Sequence, residues 1–190
     1  MFINSKERVF SNKGDVMSNE VLDIVDENNK VIGKEKRDIV HSKGLFHRAV
    51  NIFLFNSKGF LFLQKRSASK DVCPLTWDIS ASETLKSGED YHKAAIRGLQ
   101  EELSINAKLI KIRGVHLQKN EYFNGKIKDY EFVETYQALH NGYIKINKSE
   151  IAEGGFFNIK DIKDMIKKNR NQFTPWFIDE WSFMEENDLV

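Results

Sequence analysis

Residues 49–55 (AVNIFLF) and 60–64 (FLFLQ) are two strongly apolar runs of strand length, joined by the turn Asn56-Ser57-Lys58-Gly59. Short apolar runs closed by turn residues read as central strands, so the chain has to build a sheet around them. The covering helices are also legible. Residues 90–103 carry Ala95, Ile96, Leu99 and Leu103 as one apolar stripe at helical spacing. Residues 160–168 read as a second helix, and a last one is signalled by Thr174 as N-cap and Pro175 at the first helical position. Upstream, residues 21–37 alternate on either side of Asn28-Asn29 as a β-hairpin, and a short helical turn over 38–41 is ended by Gly44. Further strands are expected at 109–117 and 131–139, separated by the hairpin-like Asn124-Gly125, and near 155–157.

Between them, residues 67–88 form a long connection containing Pro74 and Trp77, broken only by an extended stretch at 78–81. Long loops in compact domains tend to be functional. Without regular βαβ repetition, the expected class is α+β, a mixed β-sheet between helices. Residues 1–18 are polar and aperiodic and read as a flexible N-terminal arm, and 19–190 as a single domain.

Charge and cysteine content narrow the partners. With 29 Lys and Arg against 28 Asp and Glu, no global field draws the chain to nucleic acid or to an acidic membrane, so any anion must be held by a local cluster. No apolar run approaches the roughly 18 residues of a membrane span. The amino terminus lacks the pattern of a secretory signal, and the lone Cys73 cannot form an internal disulfide, so a cytoplasmic location is expected. Cys73, before Pro74, is read as a packing residue or an incidental thiol.

The chemistry is concentrated in residues 83–105, ETLKSGEDYHKAAIRGLQEELSI. At about 100° per residue, Gly98, Glu101 and Glu102 fall together beside the apolar stripe. Paired carboxylates suit a hard divalent cation that also holds phosphate oxygens. An acidic pair on an amphipathic helix is by itself most often a solvated face. The spacing changes that reading, because the stretch resembles the Nudix box: Glu89, Arg97, Leu99, Glu101, Glu102 and Ile105 match it. Glu83 replaces its first glycine, Gly98 the glutamate after the arginine, and Ser104 its last glycine.

The resemblance implies that Glu101 and Glu102 bind metal, that Glu89 and Arg97 are structural, and that Glu83 offers a further carboxylate. Ser104 costs about 1 kcal/mol if its turn is left-handed. Gly98 matters most, since the family's glutamate there is a metal ligand close to general-base work. Either that position has drifted, or substrate or another side chain fills the space.

The resemblance extends over residues 21–138, where VDENNKVIGKEKRDIVHSKGLFHRAV, LQKRSASK and WDIS are similar to the branch containing isopentenyl-diphosphate isomerase and its hydrolase relatives. It implies an α/β/α sandwich, a diphosphate grip from Arg66 and Lys70, and a metal carboxylate from Glu131 on a neighbouring strand. Alternation puts Asp129 on the face of Glu131 and Glu134 on the other. His41 and His47 align loosely with the isomerase's metal histidines, at a spacing one residue shorter, and either role, ligand or structural, stays open. Ser82 stands where the isomerase has a cysteine, and Thr84 where it has its next metal histidine.

The expectation is a Mg²⁺- or Mn²⁺-dependent hydrolase of a diphosphate-linked, nucleoside diphosphate-type small molecule, with Glu101, Glu102 and Glu131 catalytic and the base unassigned. The alternatives are isopentenyl-diphosphate isomerisation, or a degraded module that binds a pyrophosphate ligand. Trp176, Phe177, Trp181, Phe183 and Met184 form an apolar surface read first as core, with a lid or a homodimer contact behind it.

Overall fold

The structure, a computed structural model, describes residues 20–190; the arm expected over 1–18 lies outside the described residues. β1 (Val21–Val25) and β2 (Val31–Lys36) form the expected hairpin as a separate two-stranded sheet, turning at Asn29 with φ 60°. Helix α1 (Arg37–Lys43) ends at Gly44 with φ 65°, where a Cβ would meet Lys128 and Tyr130 within about 3 Å. Glycine is needed there twice, for its backbone angle and for its missing side chain.

The main sheet takes its centre from the apolar runs. β3 (His47–Phe55) and β4 (Leu61–Arg66) are followed by the short β5 (Trp77–Asp78) and β6 (Ala81–Thr84) and by helix α2 (Tyr91–Leu103). The hairpin β7 (Leu109–Tyr122) and β8 (Ile127–Leu139), then β9 (Ile151–Phe157), α3 (Ile159–Lys168) and α4 (Pro175–Glu186), complete the chain. The strand order is β5-β4-β3-β8-β7, with β6 also on β3 and β9 on β4. β3 and β8 run parallel and the other pairs antiparallel, so the sheet is mixed as expected.

Alternation along β3 sorts its side chains between two cores. Val50, Ile52 and Leu54 pack with Ala95, Leu99 and Leu103 of α2, while Phe53 packs with Leu61, Leu63, Ile162 of α3, and Phe177 and Trp181 of α4. This is the α/β/α sandwich. Thr174 caps α4 by accepting from the Phe177 amide, and Phe177, Trp181 and Met184 are core residues, as the favoured reading had it.

Two expectations need correction. Ile96 is 42% exposed and lies off the stripe, because the buried arc of α2 runs through Ala94, Ala95, Leu99 and Leu103. Glu102 does not stand beside that arc but within it. At about 100° per residue it falls roughly 20° around the helix from Ala95, and only 6% of it is exposed.

Candidate functional site

The connection from β4 to α2 wraps one end of the sheet and, with α1, α4 and the start of β8, encloses a cavity of about 520 Å³. Arg66, Lys70, Glu83, Arg97, Glu101, Glu102 and Glu131, all singled out in the sequence, line it.

Helix α2 sets one wall. Its N-cap Asp90 accepts from the Lys93 amide, and it ends at Ser104 in the left-handed conformation, φ 56°. Arg97 points back to the loop. Its fork binds both oxygens of Glu89, at 3.0 and 2.9 Å, and its remaining N–H groups donate to the Thr84 carbonyl at 2.9 Å and to Glu83 at 2.6 Å. Burial works against the Glu89 charge, but the bonds from Arg97 outweigh it and hold that carboxyl below the usual range. The arginine thus ties the entry loop, β6 and the helix together.

The acidic pair divides into unlike members. Glu101 is half exposed, within 3.4 Å of Lys86 and 3.3 Å of Arg97. Glu102 is fixed, with one oxygen accepting from Gln64 Nε2 at 2.6 Å and the other from the Ser82 amide at 2.9 Å. Burial, followed by the nearby Glu83 charge, pushes its carboxyl up to about 8, against those two hydrogen bonds. Glu83 is raised likewise, by burial first and then by Glu101 and Glu20, despite Arg97. Glu83 and Glu102, crowded at the same wall, resist ionisation until a cation joins them, and an all-oxygen set suits Mg²⁺ or Mn²⁺.

A pH dependence follows. The Glu102 carboxyl is pushed up to about 8 in the folded protein from an ordinary 4.5, so without metal its ionisation should erode stability as pH rises from 4.5 to 8. Divalent-cation affinity should rise through the same window, by about one decade per pH unit, and level off above 8. Isothermal titration with Mn²⁺ between pH 6 and about 9 checks this; an affinity independent of pH would exclude Glu102 as a ligand.

A second convergence faces the same cavity. The parallel pairing of β3 with β8 sets His47 opposite Glu131. His47 Nε2 lies 3.3 Å from both Asp129 Oδ1 and Glu131 Oε1, and His41 Nε2 lies 3.5 Å from Asp129 Oδ1. None of these contacts aligns as a directed hydrogen bond, so His41 Nε2, His47 Nε2 and Asp129 Oδ1 are buried without one. The other nitrogen of His47 faces the Leu45 carbonyl at 3.2 Å, which can only accept, so Nδ1 carries the hydrogen.

The lone pair on His47 Nε2 then meets two carboxylates, an arrangement that calls for a proton or a metal. Burial opposes the His47 charge, yet Asp129 and Glu131 outweigh it and raise the imidazole to about 9. His41 is lowered to about 4, by burial first. The ligand atoms of His41, His47 and Asp129 lie within 4.8 Å of one another, so these residues also fit a metal. Glu134 turns to the opposite face, paired with Lys111 at 2.7 Å, as alternation required.

Arg66 reaches the cavity with its guanidinium already engaged. It donates to the Val72 carbonyl at 3.2 Å and to buried Asp78 at 2.9 Å, and stacks 5.0 Å over the Trp176 ring. Lys70 pairs with Glu150.

The family model described as NUDIX domain matches residues 45–177. The chain belongs to the Nudix family. Among its relatives is the isopentenyl-diphosphate Delta-isomerase of Serratia proteamaculans, 31% identical over 170 residues, which span 90% of this chain and 94% of that protein. An uncharacterized Nudix hydrolase of Clostridium acetobutylicum is 37% identical over 138 residues, 71% of this chain and 63% of that one. A crystal structure from Deinococcus radiodurans superposes with a TM-score of 0.63 at 26% identity, covering 79% of this Nudix chain and 90% of that chain. The branch read from the sequence is therefore the right one.

Proposed function

We propose that this Nudix protein is a divalent-cation-dependent hydrolase of a small molecule carrying a diphosphate linkage, of nucleoside diphosphate type. The observation that carries the reading is Glu102, a box carboxylate buried at the cavity wall and held at both oxygens by Gln64 and Ser82. Glu101, Glu102 and Glu83 would hold Mg²⁺ or Mn²⁺ on one wall, and Glu131, with His41, His47 and Asp129, on the other. A cation so held supplies neutralisation of charge developing on a phosphoryl group attacked by water.

The chain's own residues do the rest. Arg66, braced by Asp78 and Trp176, presents one face of a rigid fork, and Lys70 adds a mobile charge that would exchange Glu150 for a phosphate oxygen. Arg97 keeps the loop and helix in register, so that the carboxylates stay preorganised.

The His41, His47, Asp129 and Glu131 cluster favours a second reading, isomerisation of isopentenyl diphosphate, since relatives carrying that name share this branch. That reaction requires an acid and a base across the substrate carbon. Ser82 Oγ instead donates to Asn51 Oδ1 at 2.9 Å, and a hydroxyl so engaged is a poor proton donor to carbon. Isopentenyl diphosphate incubated with the protein and Mg²⁺ should therefore stay unchanged by NMR. Robust formation of the allylic isomer would promote the second reading over the first.

A further inference from the structure

The box helix has no side chain at Gly98, and β6 carries a carboxylate at Glu83, where the box has glycine. The two departures meet in space. A Cβ on Gly98 would lie 2.6 Å from Glu83 Cγ and 3.5 Å from Glu83 Cβ, with Ile52 Cδ1 closing the far side at 3.7 Å. The stem of Glu83 therefore runs through the volume that a side chain on the helix would occupy. With Glu83 in this conformation, only one of the two positions can carry a side chain there.

We propose that Glu83 supplies from β6 the carboxylate that the box helix lacks, so that residues 83 and 98 are an exchanged pair. This rests on the metal-dependent reading above. β6 is registered on β3 with Glu83 opposite Val50, and the Glu83 carboxylate faces the cavity shared with Glu101 and Glu102. A role limited to neutralising Arg97 does not account for it. Glu89 already accepts from Nε and Nη2 along one edge of that guanidinium, and Glu101 approaches Nη1 at 3.3 Å. Glu83 is thus a third carboxylate on Arg97, with Lys86 answering Glu101 alone, and the negative charge left over is what a divalent ion would balance.

The test uses the full chain and Mn²⁺ alone, with free ion read by electron paramagnetic resonance and folding by thermal melting. Glu83→Gln keeps the bulk and removes the charge, and should weaken Mn²⁺ binding by about tenfold or more, as should Glu83→Gly. Gly98→Glu alone should lower the melting temperature without improving binding, because the new stem overlaps Glu83. The paired exchange Glu83→Gly with Gly98→Glu should restore binding to within about threefold of the parent.

Parental affinity in Glu83→Gln, or an exchange that binds no better than Glu83→Gly, would overturn the proposal. If the parent binds Mn²⁺ through Glu83 but releases no phosphate from diphosphate substrates, the assignment of Glu83 stands and the hydrolase reading falls. A parent that binds no Mn²⁺ removes both.

Discussion

With Glu101 and Glu102 both changed to Gln, Mg²⁺ binding should disappear and turnover of a diphosphate substrate should fall by about 10²–10³, roughly 2.7–4 kcal/mol of barrier, while the fold survives. Gln preserves volume at a position within the buried arc of α2. Its carbonyl can still accept from the Ser82 amide, and Gln64 can turn its own amide to present oxygen to the new N–H₂. What is lost is charge. Of the single variants, Glu102→Gln should carry most of the loss, since Glu101 is half exposed and already shared with Lys86 and Arg97. Alanine would confound the experiment by leaving a cavity beside Ala95 and Leu99. Calorimetry showing unchanged Mg²⁺ affinity in the double variant would remove these residues from the metal set.

Arg97→Ala should act on stability instead. It strips the counter-charge from Glu83 and Glu89, both largely buried, and the donor from the Thr84 carbonyl. Breaking a buried pair from one side costs about 3–5 kcal/mol, because the partner's charge stays behind. At about 2–4 °C per kcal/mol for a chain of this size, melting should drop by roughly 10 °C. Arg97→Lys should recover little, since an ammonium cannot span Glu89 while reaching Thr84 and Glu83. Melting of Arg97→Ala within about 2 °C of the parent would show that the fork is dispensable.

The parts of the fold that were legible are those written in local chemistry. The apolar runs gave β3 and β4, the stripe through Ala95, Leu99 and Leu103 gave α2, and Thr174-Pro175 opened α4, because caps and periodicity act within a few residues. β6 was not legible beyond an extended stretch at 78–81, since its partner is β3, some thirty residues away. The β7–β8 hairpin runs past its expected limits to Tyr122 and from Ile127, through mostly polar residues that pair locally but carry no apolar alternation to mark a strand.

For the site, the box spacing named Glu89, Arg97, Glu101 and Glu102, yet it could not tell a buried carboxylate from an exposed one. That depends on where the sheet lies against the helix. Asp129 could be placed on the face of Glu131, but its meeting with His41 and His47 depends on the parallel register of β3 with β8. The contact of Glu83 with Gly98 depends on the register of β6, and no spacing rule contains it.

If this protein works as proposed, water attacks phosphorus when a divalent cation is present. The direct measurement is a panel of diphosphate-linked nucleotides and isoprenoid diphosphates incubated in ¹⁸O-labelled water with Mg²⁺ or Mn²⁺, with products read by mass spectrometry. Label should appear in a released phosphate product of at least one nucleoside diphosphate-type substrate, abolished by chelation and lowered by about 10²–10³ in the Glu101 and Glu102 double variant. Binding of such compounds without any labelled product, or an allylic isomer formed with no phosphate released, would contradict the proposed function.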